Sequence, residues 1–434
     1  MSLLADVKGL FQKGGYMNLN ELLNGVNCRC GKHHACPIEN VFIGKGAVSH
    51  LSDLCAEYDK ILLVADKNTY AAAGASVVKA LPGKQLSLVT FHGDTLVPNE
   101  KAIHEVCEHI NGVSLILAIG SGVIQDLCKY VSHFQKIPYI VVATAPSMDG
   151  YASDGAAMIL KGMKETVPAT LPKAIVGDTD ILVNAPMDMI QAGYGDIIGK
   201  YSALNDWRLA HIVTGEYFCD YIYDTTYEMI ERVKGVASRL LERDTDSVQI
   251  LMESLICVGI MMSFATSSRP ASGSEHHLSH FFEIVGLAKN EPYLSHGTDV
   301  AYSTYVTSKI REALLKSDKP QMLHRPDRDV YTEKMKSIYG KEVGEGCIAL
   351  QSKSGLYDSD RLTAYRESWD KIRSVLADMP SAEEIEEILS AIGLDIHKFY
   401  DLYGHKKIND AILYAKDLKN RYTVLWLNYD LLEN

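Results

Sequence analysis

Short apolar runs alternate with stretches of helical spacing from about residue 40 to residue 185. Several of these runs are apolar at every position, which is typical of strands covered on both faces in a parallel sheet. Six runs are predicted strands: 40–44, 60–66, 86–91, 114–120, 138–144 and 173–178. The pattern predicts an α/β domain with a doubly wound, mostly parallel sheet.

The strand signal ends near residues 182–188, and helical spacing continues from there to the C-terminus. The clearest helical stretches are 227–244, 247–268 and 381–394, and the last begins with Ser381 as N-cap and a glutamate three residues later. The polar stretch 316–330 is a predicted loop. We therefore expect an α/β domain over residues 1–185 and an all-α domain over residues 186–434.

Composition and charge narrow the class of protein. A chain of 434 residues, 47% apolar and 23% charged, is long enough for two globular cores. The formal charge of -12 argues against binding to nucleic acid. Apolar runs fall short of the roughly 20 residues that span a bilayer, and the first residues lack the pattern of a signal peptide. We expect a cytoplasmic protein with no membrane span.

The nine cysteines are odd in number and mostly lie in apolar surroundings, which favours reduced thiols over disulfides. One cluster stands apart, and its potential ligands are Cys28, Cys30, His33, His34 and Cys36. Its spacing is tighter than that of a pair of zinc-finger knuckles. The cluster predicts either a structural metal site or a reduced surface hairpin that turns at Gly31.

Residues 114–134 follow the order strand, glycine turn, helix. Gly120 and Gly122 would let the backbone pass close to a ligand, and the first amides of a helix from Val123 would face an anion such as a pyrophosphate. Asp126 follows a G-x-G sequence that lacks the third glycine of the dinucleotide fingerprint. A tight turn without a ligand is therefore the alternative.

Two further segments follow predicted strands. Asp66 could accept hydrogen bonds from a ribose and repel a 2′-phosphate, favouring NAD over NADP, or it could cap the next helix. Residues 143–157 are rich in small and hydroxyl side chains and include Asp149 and Asp154. Such a loop at the carboxyl edge of a parallel sheet faces the usual ligand crevice.

Three histidines follow Glu275 within residues 272–280. Pro270 ends one predicted helix, and Ser272 or Ser274 could cap the next. On that helix His276 and His280 lie about 40° apart on one face. This pair suits a metal or a polar substrate, whereas His277 points away and suits a solvent or interface position.

Two residues elsewhere could complete a metal site. His296 begins a predicted helix and could approach the same point as His276, and Asp196 could be a third ligand or merely a helix N-cap. Two histidines and an aspartate leave coordination positions open, as catalytic metal sites require. Glu275 precedes His276, so the H-E-x-x-H pattern of metalloproteases is excluded.

Five motifs in order resemble the sn-glycerol-1-phosphate dehydrogenases, especially their bacterial branch, in the superfamily of iron-containing alcohol dehydrogenases and dehydroquinate synthase-like proteins. The motifs are GSGVIQD, TAPSMDGYAS, GYGDIIGKYSALNDWRLA, SSRPASGSEHHLSH and SHGTDVAYST. The similarity extends from about residue 28 to 310. It implies the dehydroquinate synthase-like fold, with a nucleotide-binding domain followed by a helical domain.

The resemblance also implies roles for individual residues. The implied cofactor contacts are Asp66, Gly122, Val123, Ile124, Gln125, Asp126, Thr144, Ala145, Pro146, Ser147 and Ser153. The implied metal ligands are Asp196, His276 and His296, and the implied substrate contacts are Asp149, Asp196 and His280. Among these, Asp196 and His280 would be catalytic.

The implied reaction is the reversible reduction of dihydroxyacetone phosphate to sn-glycerol 1-phosphate by NADH or NADPH. A zinc or nickel ion would act as Lewis acid on the carbonyl oxygen during hydride transfer. His280 would supply a proton or only bind the substrate. The substrate phosphate needs a cation, for which Lys161, Lys200 and Arg269 are candidates. We also expect a homo-oligomer, a dimer or larger.

Three alternatives remain open from the sequence. The first is a glycerol or other polyol dehydrogenase of the same superfamily. The second is a dehydroquinate synthase-like lyase, in which NAD is reduced only transiently. The third is a non-catalytic nucleotide-binding or regulatory protein.

Overall fold

The computed structural model describes residues 16–93, 96–160, 163–324 and 326–432. The chain forms two compact units. The first extends to Ile197 and includes Asp224–Ser267, whereas the second contains Ile198–Tyr223 and continues from Ser268. Two of the three crossings between the units fall inside continuous helices, so two helices contribute to both units. The domain limits 1–185 and 186–434 stay a prediction.

The strands are short and lie in the first part of the chain. They are β1 (Val26–Asn27), β2 (His33–His34), β3 (Asn40–Gly44), β4 (Lys60–Asp66), β5 (Gln85–Phe91), β6 (Leu115–Gly120), β7 (Tyr139–Ala143), β8 (Gly155–Leu160), β9 (Met163–Pro168) and β10 (Ala174–Asp178). The six predicted strands correspond to β3–β7 and β10. The sequence did not predict β1, β2, β8 and β9, which pair as two small antiparallel hairpins.

The six predicted strands form one parallel sheet in the order β3-β10-β7-β6-β4-β5. All residues of β6, β7 and β10 are buried, as expected for strands covered on both faces. The chain passes from β4 outward to β5 and then returns to the other side of β4 with β6. This reversal is the point at which doubly wound sheets bind ligands. The predicted α/β fold class is confirmed.

Nineteen α-helices complete the described part of the chain. They are α1 (Leu19–Leu23), α2 (Leu51–Leu54), α3 (Lys67–Thr69), α4 (Ala75–Ala80), α5 (Glu100–Cys107), α6 (Gly122–Gln135), α7 (Thr179–Leu182), α8 (Met187–Thr214), α9 (Asp220–Lys234), α10 (Ala237–Leu241), α11 (Thr245–Ala265), α12 (Ser274–Lys289), α13 (His296–Leu315), α14 (Arg328–Tyr339), α15 (Lys341–Ser354), α16 (Leu362–Ala377), α17 (Ala382–Ser390), α18 (Ile396–Tyr414) and α19 (Val424–Asp430). The predicted all-helical second part is confirmed.

Two predicted helices can be compared in detail. Ser381 forms the predicted capping box with Glu384, because each side chain accepts a hydrogen bond from the other's backbone N–H. The predicted helix 227–244 is wrong as one element. It is divided into α9 and α10, and Gly235 lies at the break. Glycine destabilises the interior of a helix because it loses more conformational freedom there than other residues do.

Helix α11 is long and apolar enough to cross a membrane, and 78% of its most apolar window is buried inside the protein. Polar residues such as Glu253 divide this helix into short apolar runs, which is why the sequence shows no continuous run of membrane length. A Cβ at Gly259 would lie 2.7 Å from the Cβ of Ala152, so this glycine permits close packing. Such contacts are those of a core helix.

A buried carboxyl group links α13 to α18 in the second unit. Asp299 is 1% exposed, and both its oxygens accept hydrogen bonds from the Tyr403 hydroxyl, at 2.9 and 3.0 Å. Burial raises the pKa of Asp299 well above its ordinary value, although the Tyr403 bond opposes this shift. The native state therefore retains this proton at pH values at which the unfolded chain has lost it.

We expect Asp299→Asn to increase stability at neutral pH. Because the native carboxyl binds its proton more tightly, stability falls by up to about 1.4 kcal/mol per pH unit as pH rises above about 3.9 toward the native pKa. Asparagine keeps an oxygen for Tyr403 and removes the titration. Urea denaturation from pH 4 to 8 should show a wild-type deficit that grows with pH. Exposed Asp401→Asn is the control, and a pH-independent difference would contradict the prediction.

Candidate active site

Three predicted cofactor segments lie at one edge of the parallel sheet. Gly122 begins α6 directly after β6, Thr144 follows β7, and Asp66 ends β4. Since β6 pairs with β7 on one side and with β4 on the other, their carboxyl ends are neighbours. A Cβ at Gly120 would lie 2.6 Å from Ile124, so a glycine is needed at this turn. The predicted nucleotide contacts thus surround the point at which the strand order reverses.

Asp66 makes the hydrogen bonds of a helix cap. Its side chain accepts from the N–H groups of Asn68 and Thr69, at 2.8 and 2.9 Å, and its own N–H donates to the Thr69 hydroxyl. All three bonds fix the turn that follows β4. The capping alternative is therefore observed, and the ribose contact of Asp66 stays a prediction.

Lys129 organises the loop that contains Ser153. It is wholly buried on α6 and donates to the carbonyl oxygens of Gly150 and Gly155, each at 2.9 Å, and to the Ser153 hydroxyl at 3.3 Å. Its amine also lies 3.5 Å from Asp126. Burial lowers the pKa of Lys129, while the Asp126 charge opposes this shift. Sequence analysis did not identify this lysine, because its hydrogen-bond partners Gly150, Ser153 and Gly155 lie more than twenty residues away.

The loop after β7 is held by close packing. The Tyr151 hydroxyl donates to the carbonyl oxygen of Ala145 at 2.7 Å. Gly193 on α8 lies so close that a Cβ there would be 1.9 Å from the carbonyl oxygen of Pro146. This contact leaves no space for a side chain at position 193. The predicted contacts Thr144–Ser147 therefore have a fixed backbone.

The predicted metal ligands converge. One ligand atom each of Asp196, His276 and His296 lies within 4.8 Å of the others. Asp196 lies inside α8, the helix that continues unbroken into the second unit two residues later, so the alternative of a helix N-cap is wrong. Its Oδ2 accepts the N–H of Asp149 at 2.9 Å. Asp149, the predicted substrate contact, is therefore adjacent to this carboxylate.

Helix α12 begins without the predicted serine cap. Gly273 is its N-cap residue, and no side chain of the cap bonds to the helix. Carboxylates bind the first backbone amides instead: Asp206 accepts from Ser274 N–H at 2.6 Å, and Glu275 accepts from Gly273 N–H at 2.8 Å. A Cβ at Gly273 would lie 2.7 Å from Asp206, so only glycine fits.

Glu275 also orients His276. Its Oε1 lies 2.7 Å from Nδ1 of His276, and both side chains are buried. An ionised carboxylate can only accept, so Nδ1 carries the proton and Nε2 keeps its lone pair for a ligand. Burial raises the pKa of Glu275, whereas the Gly273 N–H and the Lys200 charge lower it. Sequence reasoning considered Glu275 only as a general base, although its position beside a predicted ligand was a signal for this role.

The other histidines considered in the sequence differ in their position and burial. His280 lies one turn after His276, and their ring centroids are 6.2 Å apart. Its ring is 5.6 Å from that of His296, which begins α13 as predicted. The expectation of a solvent or interface position for His277 is wrong, because that side chain is wholly buried. Burial lowers the pKa of His277 well below its ordinary value.

The candidate phosphate-binding cations differ in their surroundings. Arg269 is 3% exposed, and its Nε donates to Glu216 at 2.6 Å while Nη1 donates to the carbonyl oxygen of Tyr422. Lys200 is wholly buried. Lys161 lies outside the described residues. A phosphate role for any of the three stays a prediction.

We expect Glu275→Gln to weaken metal binding by about 10–100-fold, because the amide no longer raises the basicity of His276. The backbone should be little changed, since the glutamine oxygen can still accept from Gly273 N–H. Competition with a chelator, monitored by residual bound metal, measures the affinity. Glu387→Gln, on the exposed side of α17, is the matched control. Equal affinities of Glu275→Gln and wild type would contradict the prediction.

Comparisons with known proteins agree with this architecture. Residues 42–186 match the iron-containing alcohol dehydrogenase family. The iron-containing alcohol dehydrogenase of Thermococcus thioreducens has a TM-score of 0.60 at 13% identity, covering 91% of this chain and 99% of that chain. A sulfoacetaldehyde reductase from Bifidobacterium kashiwanohense, solved with NAD+, has a TM-score of 0.57 at 15% identity, covering 91% and 97%. These two structures share the fold.

Closer relatives are named glycerol-1-phosphate dehydrogenase [NAD(P)+]. The protein of Geobacillus thermodenitrificans is 33% identical over 299 residues, which are 66% of this chain and 74% of the relative. The protein of Bacillus licheniformis is 29% identical over 422 residues, and this alignment covers 94% of this chain and 94% of the relative. The relative from Hyperthermus butylicus is 32% identical over an alignment that covers 61% of this chain and 76% of the relative. The chain therefore belongs to the glycerol-1-phosphate dehydrogenases, a family of the iron-containing alcohol dehydrogenase superfamily.

Proposed function

We propose that this protein catalyses the reversible, NAD(P)-linked interconversion of dihydroxyacetone phosphate and sn-glycerol 1-phosphate at a divalent metal ion. The observation that carries the proposal is the convergence of one carboxylate and two imidazoles, Asp196, His276 and His296, within 4.8 Å. The substrate is inferred from the relatives, whose name states glycerol 1-phosphate and NAD(P)+.

The donor set fits a catalytic metal ion. Three protein ligands leave coordination positions open, and nitrogen and carboxylate oxygen donors suit zinc, nickel and iron alike. The Glu275 carboxylate fixes the His276 ring so that Nε2 is the ligand atom. When bound, the metal supplies Lewis-acid polarisation of the substrate carbonyl, and the nicotinamide supplies the hydride. We propose zinc or nickel as the ion.

The chain's own residues bind and orient the substrate. The Asp149 N–H donates to the Asp196 carboxylate and holds it in place beside the two imidazoles. His280, one turn from His276, would supply a proton or only hydrogen-bond a substrate oxygen. The segments at Gly122–Asp126, Thr144–Ser147 and Ser153 would bind the dinucleotide, with the first amides of α6 facing its pyrophosphate. We also propose that the protein is a homo-oligomer and is located in the cytoplasm.

A substrate panel tests the proposal. Protein stripped of metal and reloaded separately with Zn²⁺ or Ni²⁺ is assayed with NADH and NADPH against dihydroxyacetone phosphate and dihydroxyacetone. We expect metal-dependent cofactor oxidation with the phosphorylated ketone and a product of sn-1 configuration. Preference for unphosphorylated substrates would indicate a polyol dehydrogenase. Product formation without net cofactor oxidation would indicate a lyase, and NAD binding without metal binding would indicate a non-catalytic protein.

A further inference from the structure

The cysteine cluster near the N-terminus forms a tight hairpin. Strand β1 pairs antiparallel with β2, so that Val26 faces His34. Between the strands, Cys28 N–H donates to the carbonyl oxygen of Lys32, and Gly31 N–H donates to that of Cys28. Gly31 has a φ of +86°, which only glycine adopts readily. The turn brings Cys28 and Cys30 close to the end of β2.

His34 has the tautomer of a metal ligand. Its Nδ1 lies 3.0 Å from the carbonyl oxygen of Phe264, which can only accept, so Nδ1 carries the proton. The lone pair therefore belongs to Nε2, which lies 3.4 Å from the sulfur of Cys30. His34 is 1% exposed. A hydrogen bond from the second ring nitrogen to a carbonyl is the usual support of a metal-bound histidine.

A third cysteine comes from a distant part of the sequence. Cys219 is buried and directly precedes α9. One ligand atom of each of Cys28, Cys30, His34 and Cys219 lies within 4.8 Å of the others. Two ligands about 2.3 Å from one zinc ion are at most about 4.6 Å apart, so small side-chain rotations would enclose an ion.

We propose that Cys28, Cys30, His34 and Cys219 bind a structural zinc ion. Three thiolates and one imidazole are a tetrahedral donor set for zinc, and four protein ligands leave no position for a substrate. Each thiol releases its proton to the solvent as its sulfur binds the ion. This site is distinct from the Asp196, His276 and His296 group and does not depend on the reaction of the enzyme.

The site would stabilise the fold by joining two distant segments. Phe264, whose carbonyl binds His34, lies in the last turn of α11, where backbone carbonyls lack partners within the helix. His34 therefore already connects the hairpin to α11, and the ion would add Cys219 and the start of α9. Closing a loop of about 190 residues constrains the unfolded chain strongly.

Neighbouring residues of the same types provide matched controls. Cys36 is buried but is not part of the group, and His33 is exposed with its Nδ1 2.9 Å from Asn27. Cys30→Ser and His34→Ala should therefore remove the ion, whereas Cys36→Ala and His33→Ala should retain it. The full-length protein is used throughout.

Zinc content measured by mass spectrometry tests the proposal. In an Asp196→Asn background, which weakens the other site, we expect one tightly bound zinc ion per chain. That ion should be lost on adding Cys30→Ser and retained on adding Cys36→Ala. The melting temperature of Cys30→Ser should no longer respond to a chelator, whereas that of Cys36→Ala should fall. Equal zinc content in the Cys30→Ser and Cys36→Ala proteins would overturn the proposal.

Two measurements on the wild-type chain need no variant. Replacement of zinc by cobalt should give the intense near-ultraviolet bands of thiolate ligands, which the aspartate and histidine site cannot produce. A mercurial reagent that modifies thiols should release one zinc ion per chain to an indicator dye. Absence of both signals, or a disulfide among the three cysteines in freshly purified protein, would overturn the proposal.

Discussion

Asp196→Asn is expected to abolish tight binding of the catalytic metal and to reduce kcat/KM by about 10²–10³-fold. The loss corresponds to several kcal/mol of charge stabilisation that the metal gives to the transition state, at about 1.4 kcal/mol per tenfold change in rate. An amide oxygen is neutral and binds a divalent cation far more weakly than a carboxylate. It can still accept the Asp149 N–H, so the variant should fold.

The control for this variant is Asp188→Asn. Asp188 is exposed in the first turn of the same helix, α8, and its replacement should change neither metal content nor activity. His296→Ala should reproduce the effect of Asp196→Asn, since both residues belong to the proposed ligand set. Elemental analysis and steady-state kinetics are measured on the same preparations. Full metal content with wild-type activity in Asp196→Asn would contradict the assignment.

Most of the sheet could be predicted because most of its strands contain continuous apolar runs. The runs at β4 and β6 are buried on both faces, and no other element explains such continuous apolarity. Strands β1 and β2 have two residues each, too few to give a periodic signal. Strands β8 and β9 pair with each other as an antiparallel hairpin outside the parallel sheet, so their sequences carry no mark of a buried parallel strand.

The residues of the candidate site could be predicted from the sequence, but the residues that hold them in position could not. Helical spacing identified His276 and His280 as a pair, whereas the carboxylate that caps their helix, Asp206, lies 68 residues before Ser274. Nothing in a linear pattern shows that pairing. For the same reason the sequence alone could not bring Cys219 together with Cys28 and Cys30 as one group of potential ligands. In both cases the interacting residues are far apart in the sequence, so only the folded structure shows that they are neighbours.

Arg311→Met is expected to destabilise the protein by about 3–5 kcal/mol, the largest loss of stability that we expect from a single substitution. Arg311 is 1% exposed, and its Nη2 donates to Oδ1 of Asp206 at 2.8 Å. Removing the guanidinium leaves a buried carboxylate without its opposite charge, which costs more than the pair itself contributes. Denaturant midpoints should show the loss, and Arg373→Met, exposed on α16, is the matched control.

Arg311→Met should also affect the proposed metal site, because Oδ2 of Asp206 accepts a hydrogen bond from the Ser274 N–H at the start of α12. If the carboxylate takes up a proton or shifts once Arg311 is gone, the start of α12 loosens and His276 moves with it. Metal affinity should therefore fall together with stability. Adding Asp206→Asn removes the uncompensated charge, so the double variant should be more stable than Arg311→Met alone. A double variant that loses the sum of both single effects would show that Asp206 and Arg311 act independently.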